Sequence, residues 1–143
     1  MNPWERRLSL MRASLAPFLQ LEGLWEGEGQ AHGEAIRSVL RVRACFDATM
    51  LELEEQSGEH QDRCYYRYEP DEDRFLVLHL MAGSVREYPV ETTMQGLFWV
   101  TPPAEPAVEW TIQGAGLRQE VLWPDQEGAE VRIDYRRVED ARE

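Results

Sequence analysis

Residues 21–30, LEGLWEGEGQ, decide the predicted fold, because glycine or tryptophan occupies every second position from residue 23 to residue 29. These positions are Gly23, Trp25, Gly27 and Gly29. Alternate side chains of a strand share a face, and the intervening glutamates belong in water, so Trp25 is predicted to point inward. Inward glycines clear space around a large ring and let a strand coil strongly. This pattern predicts a barrel with Trp25 as a plug near one end.

The rest of the chain continues the two-residue period in about ten short segments, separated by turn signals such as residues 70–73. The segments are GLWEGEGQAH, AIRSVLRVRA, TMLELEEQ, RCYYRYE, RFLVLHLM, SVREYPVET, GLFWVT, AVEWTIQ, LRQEVLW and AEVRIDYRRV. No helical segment separates them, which favours antiparallel pairing. A sheet this wide hides its edges by closing. We therefore predict an all-β fold: one domain over residues 1–143, whose single antiparallel meander barrel spans about residues 22–138.

One helix is predicted before the barrel, over about residues 3–16. Asn2 can cap it, Pro3 suits the first helical position, and Glu5 completes a capping box. Apolar residues follow at spacings of three and four: Trp4, Leu8, Met11, Leu15 and Phe18. We expect this face to pack over the open end of the sheet rather than on a membrane.

Composition disfavours several classes of partner. The chain has 143 residues, a net charge of -12 and no lysine, which disfavours nucleic acid and anionic membrane surfaces. No segment approaches the length of a membrane span, and no secretory signal is evident. Two reduced cysteines, Cys45 and Cys64, and a cytoplasmic location are therefore expected. The acidic tail, residues 139–143, is expected to fray.

Residues 18–29, FLQLEGLWEGEG, resemble the first-strand motif of lipocalin-like (calycin) barrels, in which Gly-x-Trp follows a short N-terminal helix. The longer Gly-x-Trp-x-Gly-x-Gly is nearest to nitrobindin-like proteins, which are ten-stranded haem-binding barrels, and to uncharacterised bacterial lipocalin-like domains. In calycins a basic residue of the last strand commonly packs over the first-strand tryptophan. The resemblance thus implies a structural role for Arg132 or Arg136, and both alternatives stay open.

Haem is an alternative that this resemblance implies. Nitrobindin-like proteins ligate haem iron through a histidine near the carboxyl end of the barrel, whereas the three histidines here are His32, His60 and His79. We therefore expect no cofactor, and we interpret His79 as packed rather than as an axial ligand.

Metal and catalytic motifs are not evident. Zinc requires clustered cysteine and histidine at short spacing, whereas Cys45 and Cys64 stand alone, so no metal site is predicted. No nucleophile elbow occurs, and no catalytic residue is assigned. Glu87 and Gln119 share the parity of apolar neighbours, and their orientation stays open. An inward Glu87 would be the candidate acid or base if the barrel were an enzyme acting on a hydrophobic ligand.

The preferred prediction is non-catalytic binding of a small apolar or amphipathic ligand inside the barrel. A solid core is the competing hypothesis. On the RFLVLHLM segment, Leu76, Leu78 and Leu80 are expected to face inward. The predicted lining residues are Trp25, Tyr66, Tyr68, Leu78, Trp99 and Trp110.

Apolar residues also fall on the predicted outer face, which suggests a homodimer through the barrel wall. They are Val39, Phe75, Val77, Phe98, Val100 and Leu122.

Overall fold

The computed structural model describes residues 1–138, and these form a closed barrel of ten antiparallel strands preceded by a helix. Each strand pairs with the next along the chain, and β1 pairs with β10 to close the sheet. The predicted all-β meander barrel is therefore confirmed, whereas the tail expected to fray lies outside the described residues. The strands are β1 (Gly23–Ala31), β2 (Glu34–Cys45), β3 (Met50–Ser57), β4 (His60–Glu69), β5 (Arg74–Met81), β6 (Ser84–Thr93), β7 (Gly96–Trp99), β8 (Ala107–Gln113), β9 (Gly116–Leu122) and β10 (Val131–Arg137).

The N-terminal helix, α1 (Pro3–Leu15), begins as its capping signals predict, since the Asn2 side chain accepts a hydrogen bond from the Glu5 backbone N–H at 2.8 Å. A 3₁₀ helix (Ala16–Leu21) follows. Its Phe18 ring meets the Phe75 ring at 5.7 Å, so this segment packs into the core where β5 begins. None of the helices among residues 1–138 is long and apolar enough to cross a membrane.

The two ends of the barrel differ. The closed end is the one where β1 begins and where the turns of residues 46–49 and 70–73 lie, and it is filled by the 3₁₀ helix and Trp25. The open end lies opposite, where β1 ends and where the turns of residues 32–33 and 58–59 lie. The helical segment therefore leaves the interior accessible from one end.

The inward face of β5 is the reverse of the prediction. Val77 is fully buried inside the barrel, and Leu78 faces outward as part of the alternate row that also contains Leu76 and Leu80. Residues directly opposite on paired strands share a face, and Val77 lies opposite the buried Tyr66. Because RFLVLHLM is apolar on both faces, its period alone could not choose between them. Phe75 and Val77 were thus wrongly assigned to the outer wall.

The glycines of β1 make room for β10 rather than for the Trp25 ring. A Cβ on Gly27 would lie 2.6 Å from atoms of both Ile133 and Tyr135. A Cβ on Gly23, whose φ is +140°, would lie 2.6 Å from the Arg137 guanidinium, and one on Gly29 would collide with the Arg132 carbonyl. These three glycines are structural residues, as predicted, but the reason is the close approach of β10.

The cation over Trp25 is Arg137, not Arg132 or Arg136. The β1–β10 register places Trp25 opposite Arg137, and the same inward row of β10 contains Tyr135. Arg132 has the opposite parity and pairs outside the barrel with Glu120 at 2.8 Å. Arg136 lies opposite Glu26 on the outer face. The prediction of a last-strand cation was right, but both of the residues predicted for it were wrong.

Candidate functional site

A cavity of about 530 Å³ occupies the open half of the barrel, and all ten strands contribute to its wall. Much of the wall is apolar: Ile36, Leu53, Val108, Val121, Val131 and Ile133. A volume of this size lies within the range of small-molecule pockets. The interior of the described barrel is therefore partly hollow.

Aromatic side chains form one side of this cavity. The Trp99 indole N–H donates a hydrogen bond to the Tyr66 hydroxyl at 2.6 Å, which fixes the ring against the buried floor. Tyr88 stacks on Trp99 with ring centroids 5.6 Å apart. Trp110 also lines the cavity, and its buried indole N–H has no hydrogen-bond partner among residues 1–138. These rings offer a bound molecule a large rigid surface.

Glu55 supplies a buried carboxyl to the cavity wall. It accepts hydrogen bonds from the Tyr135 hydroxyl and from Gln119 Nε2, the latter at 3.2 Å. Burial, together with the negative charge of Asp62, raises the pKa of Glu55 to about 7. Glu55 therefore changes protonation state near neutral pH while it faces the cavity.

Several polar side chains of β4 and β5 lie beside Glu55 and form a second polar cluster. Both His60 Nε2 and His79 Nε2 lie 3.3 Å from Asp62 Oδ2. Cys64 and His79 are opposite each other in the β4–β5 register, and one donor atom each of Asp62, Cys64 and His79 lies within 4.8 Å of the others. Burial raises the pKa of the Cys64 thiol well above its usual value, with Asp62 and Glu55 adding to the effect.

Charged residues at the mouth are already paired. Arg86 forms an ion pair with Glu105, and His32 Nδ1 lies 3.0 Å from a carboxylate oxygen of Glu130. Arg86 is the one arginine that lines the cavity within residues 1–138, whereas three carboxyls line it: Glu55, Asp62 and Glu105. The polar side of the cavity therefore favours cations and hydrogen-bond donors over anions.

The predicted lining residues separate into three groups. Trp99 and Trp110 line the cavity. Tyr66 is buried directly behind Trp99, and Trp25 belongs to the closed-end plug, where its N–H donates to the Leu21 carbonyl at 2.9 Å. Tyr68 packs on Phe75 near the closed end, at a centroid distance of 5.5 Å. Leu78 was wrongly chosen, because it faces outward.

The sequence left the orientation of Gln119 and Glu87 open, and the structure places their side chains on opposite faces of the barrel wall. Gln119 is buried and faces the cavity beside Glu55. Glu87 faces outward, with a side chain that is 48% exposed and lies 3.5 Å from Arg67. Glu87 therefore cannot act as an acid or base inside the barrel, and Glu55 holds that position instead.

Sequence patterns could have identified the residues that were missed. Glu55 continues the parity of the inward Leu51 and Leu53 along β3, and Asp62 shares the parity of Cys64 along β4. His79 was interpreted as merely packed, and the face that it shares with Phe75 and Val77 was not recognised as the inward face of β5. Strand pairing then unites residues that the sequence separates, which a search for short metal-binding spacings does not detect.

These residues do not fit the haem that the nitrobindin-like resemblance implies. His79 Nε2 lies 3.3 Å from the Asp62 carboxylate, and the His79 ring contacts Trp99 at a centroid distance of 4.9 Å, so haem iron on this nitrogen would have to displace Asp62. Porphyrin carboxylates would also meet the acidic lining described above.

Comparisons with known proteins add no family: no family model matches the chain, and no curated protein matches it in sequence. The geometry of the cavity is therefore the ground on which a function can be proposed.

Proposed function

We propose that the barrel binds a small amphipathic molecule in its open-end cavity without transforming it. The observation that carries this proposal is a cavity of about 530 Å³ with an apolar and aromatic wall facing a compact polar group. Small-molecule sites typically combine those two features. A solid core, the competing hypothesis, would leave no such volume.

The two sides of the cavity suggest how such a molecule would be oriented. Its apolar part would pack against Trp99 and Trp110, and a cationic or hydrogen-bond-donating group would meet Glu55 and Asp62. Glu55 and Asp62 already have partners in the wall, but an apolar molecule without a donor would displace water from their remaining lone pairs and replace it with nothing, which costs about 1–3 kcal/mol per group. We therefore favour an amphipathic ligand over a purely apolar one.

Tryptophan fluorescence tests this proposal, because Trp99 and Trp110 line the cavity. Titration with a panel of long-chain amines, fatty acids, retinoids and porphyrins should give saturable quenching by the amines first. Ile36→Trp would obstruct the cavity, whereas Val39→Trp changes an outward residue of the same strand that is 47% exposed. Calorimetric affinity should fall at least about tenfold in Ile36→Trp and stay unchanged in Val39→Trp. Equal affinities in the two variants would contradict binding inside the barrel.

A second candidate function, acid–base catalysis on the bound molecule, is favoured by the position of Glu55 in the cavity wall. Its carboxyl is held by Tyr135 and Gln119 and faces the bound-ligand space. If this function applies, Glu55→Gln should abolish conversion of the ligand, as followed by mass spectrometry at a ligand concentration that saturates the variant. Unchanged ligand after prolonged incubation with the wild-type protein would leave binding as the function.

The finer relationships implied by the sequence remain proposals. The closed ten-stranded barrel, its N-terminal helix and the Arg137–Trp25 contact support a lipocalin-like assignment, and nothing in the cavity favours the nitrobindin-like branch over the bacterial lipocalin-like domains. The free thiols of Cys45 and Cys64 support a cytoplasmic location.

Self-association and the absence of nucleic-acid or membrane partners also remain proposals. A homodimer would use the outward row of β5 and its neighbour Val85, which is 70% exposed. Multi-angle light scattering across a concentration series should then show a dimer that Val85→Glu dissociates. A strict monomer at high concentration would contradict the homodimer.

A further inference from the structure

Three side chains with different metal-ligating atoms meet on the inner wall of β4 and β5. Asp62 and Cys64 are two residues apart on one strand and so share its inward face, and His79 lies directly opposite Cys64 on the next strand. One donor atom from each lies within 4.8 Å of the other two. Residues 15 apart in sequence, Cys64 and His79, are thus brought together by the register of a single hairpin.

The spacing suits a small divalent cation. Tetrahedral zinc with bond lengths of about 2.0–2.3 Å places its ligand atoms roughly 3.4–3.7 Å apart. Asp62 Oδ2 and His79 Nε2 are 3.3 Å apart, already at this separation. The Cys64 sulfur lies within 4.8 Å of both atoms, so it needs a shift of roughly 1 Å to reach the same spacing. The mixture of thiol, imidazole and carboxylate suits zinc better than magnesium or calcium, which prefer oxygen ligands.

A second imidazole lies beside these three residues, and one side of the cluster faces the cavity. His60 Nε2 lies 3.3 Å from the same Asp62 oxygen, so it can orient that carboxylate or approach the metal itself. All four residues line the cavity, so a cation held by Asp62, Cys64 and His79 would have a free position facing the cavity. Three protein ligands with one open position is the arrangement of zinc sites that bind water or a small molecule.

The negative charge of the surrounding side chains also favours a bound cation. Asp62, the Cys64 thiol and Glu55 lie together on this wall, and the cavity arginine, Arg86, is engaged by Glu105 at the mouth. A divalent cation would neutralise the Asp62 carboxylate and a Cys64 thiolate at once. Within residues 1–138, no side-chain cation is paired with Asp62 other than the two histidines.

We propose that Asp62, Cys64 and His79 form a zinc-binding site on the wall of the cavity, with a fourth coordination position open to the cavity. This site shares Asp62 with the proposed ligand site, but its test is separate, because a metal titration needs no organic ligand. Metal binding without ligand binding, or the reverse, would therefore separate the two proposals.

Cobalt substitution of the chelator-treated full-length protein tests the site directly. One equivalent of Co²⁺ should produce a near-ultraviolet thiolate-to-cobalt charge-transfer band and visible bands of tetrahedral intensity, and Zn²⁺ should displace both. Cys45→Ser leaves Cys64 as the sole thiol of the chain, so persistence of the charge-transfer band in this variant would identify Cys64 as the ligand. No band at micromolar metal, or a band lost in Cys45→Ser, would overturn the proposal.

Histidine variants provide the matched comparison, with Zn²⁺ affinity measured by competition with a chromophoric chelator. His79→Ala removes a ligand and should weaken binding by at least about 100-fold, whereas His60→Ala, which removes a partner of Asp62, should weaken it about 10–100-fold. His32→Ala, at the cavity mouth, should have no effect. Equal affinities for the His79→Ala and His32→Ala variants would overturn the assignment. The Cys45→Ser cobalt spectrum decides the matter should His79→Ala fail to fold.

Discussion

The guanidinium carbon of Arg137 lies 4.3 Å from the centroid of the Trp25 ring, joining the end of the last strand to the start of the first. The same guanidinium donates hydrogen bonds to the backbone carbonyls of Gln20, at 2.6 Å, and of Glu22. One side chain therefore connects the 3₁₀ helix, the closed-end plug and the strand that closes the barrel.

Arg137→Ala should destabilise the protein, because it removes the cation–π contact and both backbone hydrogen bonds. We expect the free energy of unfolding, measured by urea titration, to fall by about 1–3 kcal/mol. Arg136→Ala is the matched control on the outer face and should change it by less than about 0.5 kcal/mol. Equal effects of the two substitutions would contradict the assignment of Arg137 as the structural cation.

Gly27→Ala should also destabilise the barrel. The added methyl group would lie 2.6 Å from Ile133 and Tyr135, and overpacking of this kind costs about 1–3 kcal/mol. Gly116→Ala is the control, since the nearest atom to its new methyl group would be 3.3 Å away. Thermal unfolding of both variants compares them. If Gly116→Ala were the more destabilising, the proposed reason for the glycine pattern would be wrong.

Glu55→Gln should stabilise the metal-free protein at alkaline pH. Because the folded-state pKa of Glu55 is raised to about 7, its contribution to stability is fully present below about pH 4.5 and is lost as the pH rises to about 7. Glutamine does not ionise, so this loss does not occur in the variant. Its free energy of unfolding should therefore exceed that of the wild type by about 1–3 kcal/mol at pH 8 and by little at pH 4.

Urea unfolding at both pH values measures this difference, and Glu87→Gln, on the exposed outer wall, is the control. A Glu55→Gln variant less stable than the wild type at pH 8 would show that the ionised carboxyl stabilises the fold.

Glu69 should show the opposite pH dependence. The backbone N–H of Asp71 and the side chains of Arg67 and Arg7 lower the pKa of Glu69 to about 2. Its contribution is therefore present above about pH 4.5 and is lost as the pH falls towards 2. Glu69→Gln should lower stability at pH 7 by about 1 kcal/mol and have little effect near pH 2.

Acid denaturation followed by circular dichroism tests this prediction, with the exposed Glu26→Gln as control. A stability difference between Glu69→Gln and wild type that is constant from pH 7 to pH 2 would argue against ionisation as its cause.

The sequence predicted the barrel well because strands with one polar and one apolar face encode their own orientation. The alternating glutamates of β1 placed Trp25 inside, and the predicted helix of about residues 3–16 is observed as Pro3–Leu15. Such patterns are local, so they predict the inward face of a strand even when its pairing partners are unknown.

The site was predicted less well because it depends on pairing. On β5 both faces are apolar, so only the register opposite Tyr66 and Cys64 shows that Val77 and His79 point inward. The same register brings His79 to Asp62 and Cys64. The face of Glu55 was encoded locally, but the pKa of its carboxyl depends on the burial that the closed barrel provides.

Native mass spectrometry of the protein purified from its own host tests the central claim of a ligand-binding cavity most directly. The wild-type protein should carry an added organic mass that is lost under denaturing conditions and is absent from Ile36→Trp, while Val39→Trp retains it. A wild-type protein that carries no added organic mass, or an adduct that Ile36→Trp retains in full, would contradict the account.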